Sequence, residues 1–157
     1  MSGPAGRIEA IFVSPRHEEL PEPVGEAEVV PARGIRGDRY FAPEGREWRG
    51  EDRGHDLTLI EAEAIEALGA EHGITIEPAE ARRQVLTRGV DLNALVGRRF
   101  TVGALKCEGF ELCEPCSHLE GLTRPGVLKG LVHRGGLRAD VLGGGTIRVG
   151  DPVVPAG

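Results

Sequence analysis

Apolar positions along the chain change their spacing several times, and each change predicts a different element. Arg7 to Val13 (RIEAIFV) alternates as a half-buried strand does, and Ala27 to Pro31 (AEVVP) predicts another after a proline-rich connection. Leu57 to Ile60 is a short apolar run. It leads into EAEAIEALGAEHG, where Ile60, Ala64, Ile65 and Leu68 recur at helical spacing and Gly69 or Gly73 can end the helix. Ile74 to Ile76 reads as extended, and Pro78 to Arg82 as a short helical turn with proline near its start. From Gln84 the pattern becomes short strands: Gln84 to Thr87, Arg99 to Val102, Ala104 to Cys107 and Phe110 to Leu112, with Asp91 capping a turn that runs to Leu95. Gly126 to His133 predicts a second helix with Leu128, Leu131 and Val132 on one face and Gly135 past its end. Leu137 to Leu142 and Thr146 to Val154 flank Gly143, Gly144 and Gly145 as the arms of a hairpin would. No repeat or linker divides the chain, so a single domain over 1–157 is expected, mainly β, as a small barrel or curled sheet with a few helices.

Composition narrows the chemistry. With 39% hydrophobic and 28% charged residues the chain has the balance of a globular protein. No run approaches the length of a membrane span and Met1 to Val13 lacks the apolar core of a signal peptide, so a cytoplasmic protein without a membrane partner is expected. The net charge of -6 and only six aromatic residues argue against nucleic-acid binding. The charge is uneven: residues 1–80 carry 8 Arg against 18 Asp and Glu, whereas residues 81–157 carry 11 basic against 7 acidic side chains. An anion site belongs in the second half. All but two of the cations are arginine, and with only Lys106 and Lys129 to supply an imine-forming amine a pyridoxal-phosphate site is disfavoured. The Gly-rich, charged segment 32–56 is a long polar loop, and such loops are usually functional.

The densest reactive cluster is Cys107, Cys113, Cys116 and His118, with Glu114-Pro115 forcing a turn inside the Cys-x-x-Cys. Three readings of it stay open: a structural zinc site of three cysteines and His118, a thioredoxin-like redox pair, and a loop-tip thiolate that binds a soft metal or carries sulfur. Cys107, in a strand pattern, reads instead as a small core residue. Arg82 and Arg83, with Arg88, Arg98 and Arg99, form the basic counterpart, and Gly34 to Arg39 is a weaker anion-nest candidate. His17 and His72 read as surface residues, while His55 and His133 flank candidate site loops. No Gly-x-Ser-x-Gly elbow, P-loop or Gly-x-Gly-x-x-Gly occurs, which removes the main support for hydrolase, nucleotidase and Rossmann readings.

Four ordered stretches, GIRGDRY at 34–40, RRQVLTRGVDLNALVGRRFTVG at 82–103, CEPC at 113–116 and GGGTIRVGDPV at 143–153, resemble the MOSC domain, named after the C-terminal part of molybdenum cofactor sulfurase. The resemblance implies a β-barrel-like fold related to the pyruvate-kinase small barrel, in a standalone member. It also implies molybdenum cofactor (molybdopterin) as the ligand. In members similar to the amidoxime-reducing enzymes, the second cysteine of the Cys-x-x-Cys ligates molybdenum and an Arg-x-Asn motif helps to hold the pterin. By motif position the thiol is Cys116, the molybdenum ligand or persulfide carrier, and Cys113 is a neighbour able to resolve or tune it. Arg82, Arg83 and Gln84 would position the pterin phosphate, with Gln84 standing where Asn is usual. A standalone domain would bind the cofactor in an open cleft, recruit a second copy as a homodimer, or act on sulfur without holding the cofactor tightly. The expected partners are the pterin cofactor or a sulfur donor. A molybdenum-dependent reductase of N-hydroxylated compounds is the alternative, needing an external redox partner protein because nothing here binds flavin or nicotinamide. A non-enzymatic domain with a structural zinc is the third reading.

Overall fold

The computed structural model describes residues 6–16, 19–46 and 53–156. Its frame is a closed barrel of seven strands. In chain order these are β1 (Gly6–Val13), β5 (Leu57–Glu61), β6 (Val85–Arg88), β7 (Arg99–Val102), β8 (Leu105–Leu112), β9 (Leu137–Gly143) and β11 (Pro152–Pro155). Around the barrel the order is β11-β7-β8-β9-β5-β6-β1, and a β1–β11 pairing closes the ring. Every pair is antiparallel except β5–β6, which α1 (Ala62–His72) connects as a crossover. β2 (Glu22–Val24) extends the sheet beside β1, while β3 (Glu26–Val30), β4 (Gly34–Ile35) and β10 (Gly145–Arg148) form a separate three-stranded sheet. The mainly β, barrel-like architecture expected from the sequence is the observed one.

Alternation along the strands separates two cores. Ile8, Ile11, Leu57, Leu59, Val85, Phe100, Leu105, Leu137 and Ala139 fill the barrel with their neighbours. The opposite faces of β1, β5 and β6 send Phe12, Ile60 and Leu86 outward, where they meet Ile65 and Leu68 of α1, Leu119 of α2 (Ser117–Leu122), and Val127 and Leu131 in and after α3 (Val127–Gly130). Gly73, at φ 67°, ends α1 with its N–H on the Gly69 carbonyl, so Gly73 and not Gly69 is the stop. A 3-10 turn at Pro78–Ala81 carries a capping box between Glu77 and Glu80, as the proline position predicts.

Four expectations need correction. The three glycines do not turn a hairpin, because β10 pairs with β3 and not with β9. A Cβ on Gly144 would lie 2.6 Å from the Val29 carbonyl oxygen and 2.7 Å from Pro31 Cδ, so glycine here permits a strand crossing. The segment 104–112 is one bulged strand rather than two, and Gly109 lies under the Leu95 carbonyl with 2.1 Å for a hypothetical Cβ. The turn at Asn93–Leu95 is not capped by Asp91: the Leu92 N–H goes to Glu61 Oε2 at 3.0 Å. The second helix is four residues long and buries Val127, Gly130 and Leu131, leaving Val132 exposed.

The polar loop is ordered where it is described, by charges taken inside. Asp56, fully buried, accepts the Ala32 N–H at 3.1 Å, the Val141 N–H at 3.0 Å and Arg46 Nη1 at 2.9 Å. Asp140 accepts the Gly54 N–H at 2.7 Å and bonds the Arg53 guanidinium. These bonds satisfy both carboxylates and fix the loop against the barrel wall. Residues 47–52 of that loop, Met1 to Ala5 of the first segment and His17 lie outside the described residues. Among the described residues no helix is long and apolar enough to cross a membrane.

Candidate functional site

One cleft of about 560 Å³ opens on the outer face of the barrel wall, a size suited to a small molecule. Its floor is a row of side chains from β1 (Phe12), β5 (Thr58) and β9 (Arg138), with Gln84 just before β6 and Cys113 just after β8. Thr58 stands directly opposite Arg138 in the β5–β9 register. On its other side the Gln84 amide oxygen accepts the Thr58 N–H at 2.9 Å, and the Gln84 carbonyl accepts the Phe12 N–H at 2.7 Å. Cys113 continues the β8–β9 ladder, its N–H on the Gly136 carbonyl at 2.7 Å. Leu57 and Leu59 beside Thr58, and Leu137 and Ala139 beside Arg138, point into the barrel, so the polar member of each of these two alternations faces the cleft. Asp38, Tyr40, Arg46, Gly54 and His55 of the long loop form one wall; Arg82 and Arg83 contribute from before β6.

Charge in the cleft is lopsided. Among the described residues, Arg46, Arg82, Arg83 and Arg138 line it against a single carboxylate, Asp38. That carboxylate is spent, accepting the Ser14 N–H at 2.8 Å, the Tyr40 N–H at 3.2 Å and the Gln84 side-chain N–H at 3.1 Å. A small anion is the natural occupant. Tyr40, 57% exposed, packs its ring under the Arg39 guanidinium at 4.3 Å and forms the lip.

The two halves of the arginine–amide motif do different things. Arg82 sits at φ 59°, and its guanidinium donates to the Glu19 carbonyl at 3.0 Å from the cleft wall. Arg83 is turned to the cysteine loop: it donates to the carbonyls of Gly135 at 2.8 Å, Cys113 at 3.0 Å and Ala81 at 3.3 Å. Gln84 spans Thr58 and Asp38. Arg83 and Gln84 therefore brace the site, and Arg82 offers the cleft its charge. Of the remaining basic cluster, Arg88 is held by Glu9 at 2.6 Å and Glu66 at 2.7 Å and Arg99 faces Glu108 at 3.5 Å, all outside the cleft.

The CEPC loop is clamped from both sides. A Cβ at Gly135 would come within 2.3 Å of the Cys113 carbonyl oxygen and 2.9 Å of Pro115 Cδ, so the loop rests directly on that glycine. Glu114 accepts the His133 N–H at 2.7 Å and meets His133 Nδ1 at 2.9 Å. Within this frame Cys113 is buried and lines the cleft, whereas Cys116, immediately before α2, is exposed. Cys107 sits inside the barrel at 1% exposure, where burial, helped by the charge of Asp56, pushes its thiol up to about 12. Among the described residues no three His, Cys, Asp or Glu side chains gather as a metal site, so Cys107, Cys113, Cys116 and His118 are not brought together. His55 lines the cleft and His72 is exposed; His133 lines a second hollow of about 340 Å³ with Glu61, Glu63 and Asp91.

Ser14, Tyr40, Arg46, Thr58 and Arg138 also line the cleft, although the sequence reading did not single them out. The signal was available for Thr58 and Arg138, each a polar residue between two inward-facing apolar ones in LTL and LRA. Arg46 and Tyr40 are placed by loop contacts that no local pattern encodes.

A sealed barrel carrying an arginine-lined cleft beside a braced cysteine turn defines a small β-barrel domain with an arginine-rich, thiol-bearing face. The family model for the MOSC domain matches residues 48–154, and the chain belongs to that family. The match takes in the RRQ, CEPC and GGGTIRVGDPV stretches; GIRGDRY precedes it. Solved structures share the fold at low identity. The YUAD protein from Bacillus subtilis superposes with a TM-score of 0.79 at 16% identity, over 96% of this chain and 94% of that one. YiiM from Geobacillus stearothermophilus gives 0.71 at 16%, over 97% and 75%, and YiiM from Escherichia coli 0.67 at 17%, over 96% and 70%. No curated protein matches the sequence.

Proposed function

We propose that this MOSC-domain protein binds the pterin molybdenum cofactor in its arginine-lined cleft and uses the Cys116 thiolate as the molybdenum ligand or as a persulfide carrier. The observation that carries the reading is the juxtaposition of that cleft with the CEPC turn, which puts Cys113 in the lining and leaves Cys116 exposed beside it in sequence. The donor set fits the group: guanidinium forks suit a phosphate, and a solvent-reachable thiolate suits a soft metal or sulfane sulfur. When bound, the cofactor supplies metal-centred redox chemistry that no side chain has.

The chain's own residues do the rest. Arg82 holds the phosphate by charge and hydrogen bonds. Arg83 fixes the Cys113 end of the turn through two carbonyls, and Gln84 keeps Thr58 and Asp38 in place, so the reacting sulfur is presented by a frame rather than a free loop. Pro115, buried against Gly135, limits the excursions of the turn. Cys113, close in sequence and less accessible, is suited to resolve sulfur carried on Cys116.

The test is an elemental analysis of protein made in a host that synthesises the cofactor, with molybdenum, zinc and sulfane sulfur measured per chain. Wild type is expected to retain molybdenum or sulfane sulfur, and Cys116→Ala to lose it with an unchanged melting temperature. Equal retention in Cys116→Ala overturns the reading.

A further inference from the structure

The cleft holds a guanidinium that the motif does not include. Arg83 spends its N–H groups on three backbone carbonyls, and Arg46 is committed to Asp56 and, at 2.5 Å, to the Tyr40 carbonyl. Arg138 has one partner, Glu111, at 3.8 Å. Both of those side chains are open to water, at 35% and 53%, and such a pair contributes little. Its backbone is nonetheless well fixed: Arg138 pairs with Thr58 on one side and Glu111 on the other, and Gly54 packs against its Cβ.

Register puts this arginine near the thiol. Cys113 bonds opposite Gly136, two residues before Arg138, so the two are diagonal neighbours on one face of the β8–β9 pair, a relation that separates Cα atoms by roughly 7–8 Å and lies within reach of a long side chain. Both line the cleft, and among the described residues no carboxylate other than the already satisfied Asp38 does.

We propose that Arg138 is an oxyanion-binding residue of the cysteine site, taking a phosphate, carboxylate or sulfur-oxyanion group of the bound molecule next to Cys113. The inference rests on the reading that this cleft is the ligand site, and it adds the charge class of what is bound there. The anion belongs either to the cofactor's phosphate or to a separate substrate, and the two are distinguishable.

Cofactor-free wild type, Arg138→Gln and Arg138→Lys are titrated separately with sulfate and with inorganic phosphate, while alkylation of Cys113 and Cys116 by iodoacetamide is followed by mass spectrometry. Anions are expected to protect the wild-type thiols, with the apparent affinity about tenfold or more weaker in Arg138→Gln, as loss of a charged hydrogen bond implies, and intermediate in Arg138→Lys. A melting temperature equal to wild type excludes misfolding. Equal protection in wild type and Arg138→Gln, or none in wild type, overturns the proposal. In protein from the cofactor-producing host, lowered molybdenum in Arg138→Gln identifies the cofactor's phosphate as the anion; unchanged molybdenum with weakened sulfate protection identifies a separate substrate. A wild type that never acquires molybdenum or sulfane sulfur sinks the cofactor reading and leaves the anion titration standing.

Discussion

Three cysteines in one small chain meet three different environments, and reactivity follows environment rather than residue type. Cys107 is 1% exposed inside the barrel, with its thiol pushed up to about 12 by burial first and by Asp56 second. A brief iodoacetamide pulse at pH 8 is expected to label Cys116 first, Cys113 more slowly, and Cys107 only after unfolding; peptide mass spectrometry reads the order, and native labelling of Cys107 as fast as Cys116 contradicts it. The same burial has a sign in stability. Because the folded thiol holds its proton to higher pH than the unfolded one, its contribution is complete below the ordinary value of 9.0 and is lost as pH rises from there toward about 12. Cys107→Ala should flatten that alkaline slope in pH-dependent melting. The core role of Cys107 was legible from its strand pattern. The separate surroundings of Cys113 and Cys116 were not, because a two-residue spacing says nothing of which thiol the Gly135 and Glu114 contacts turn inward.

Among the elements, the turn 113–116 depends on what lies beneath it. A methyl group at Gly135 has only 2.3 Å to the Cys113 carbonyl oxygen and 2.9 Å to Pro115 Cδ, and the carbonyl in its path is one that Arg83 also grips. Gly135→Ala is expected to destabilise the protein by about 1–3 kcal/mol, as overpacking does, measured by urea unfolding. It should also change the alkylation rate of Cys116 in the native state, which a purely global effect would not. Glycine explains most of what the sequence concealed at this scale. The runs at 109 and 143–145 resemble breaks and turns in a one-dimensional pattern, yet Gly109 admits the Leu95 carbonyl and Gly144 admits the Val29 carbonyl. Close approach by a segment distant along the chain leaves no local trace. Helix α1, by contrast, was legible because its period and its glycine stop are both local.

For the molecule as a whole, one aromatic ring dominates the barrel interior. Among the described residues Phe100 is the single aromatic member of that core cluster, and it is almost fully buried. Phe100→Ala should cost about 3–5 kcal/mol, a large share of the roughly 5–15 kcal/mol by which domains are stable. Chemical denaturation checks it, and a loss below 1 kcal/mol would mean that the aliphatic side chains repack around the gap. The class of fold was readable because alternating strands punctuated by glycine favour a curled sheet. Barrel closure was not, since it joins Gly6 to Val153 across nearly the entire chain.

That closing seam also decides where the polypeptide arrives and departs. Gly6 and Val153 are partners at the start of β1, while Phe12 and Ser14 meet the arginine-lined cleft at its other end, on the order of 20 Å away for a strand of this length. A group attached to the chain at Gly6 or Val153 would thus hang from the far rim, leaving the mouth between Tyr40 and Arg82 open to whatever diffuses in.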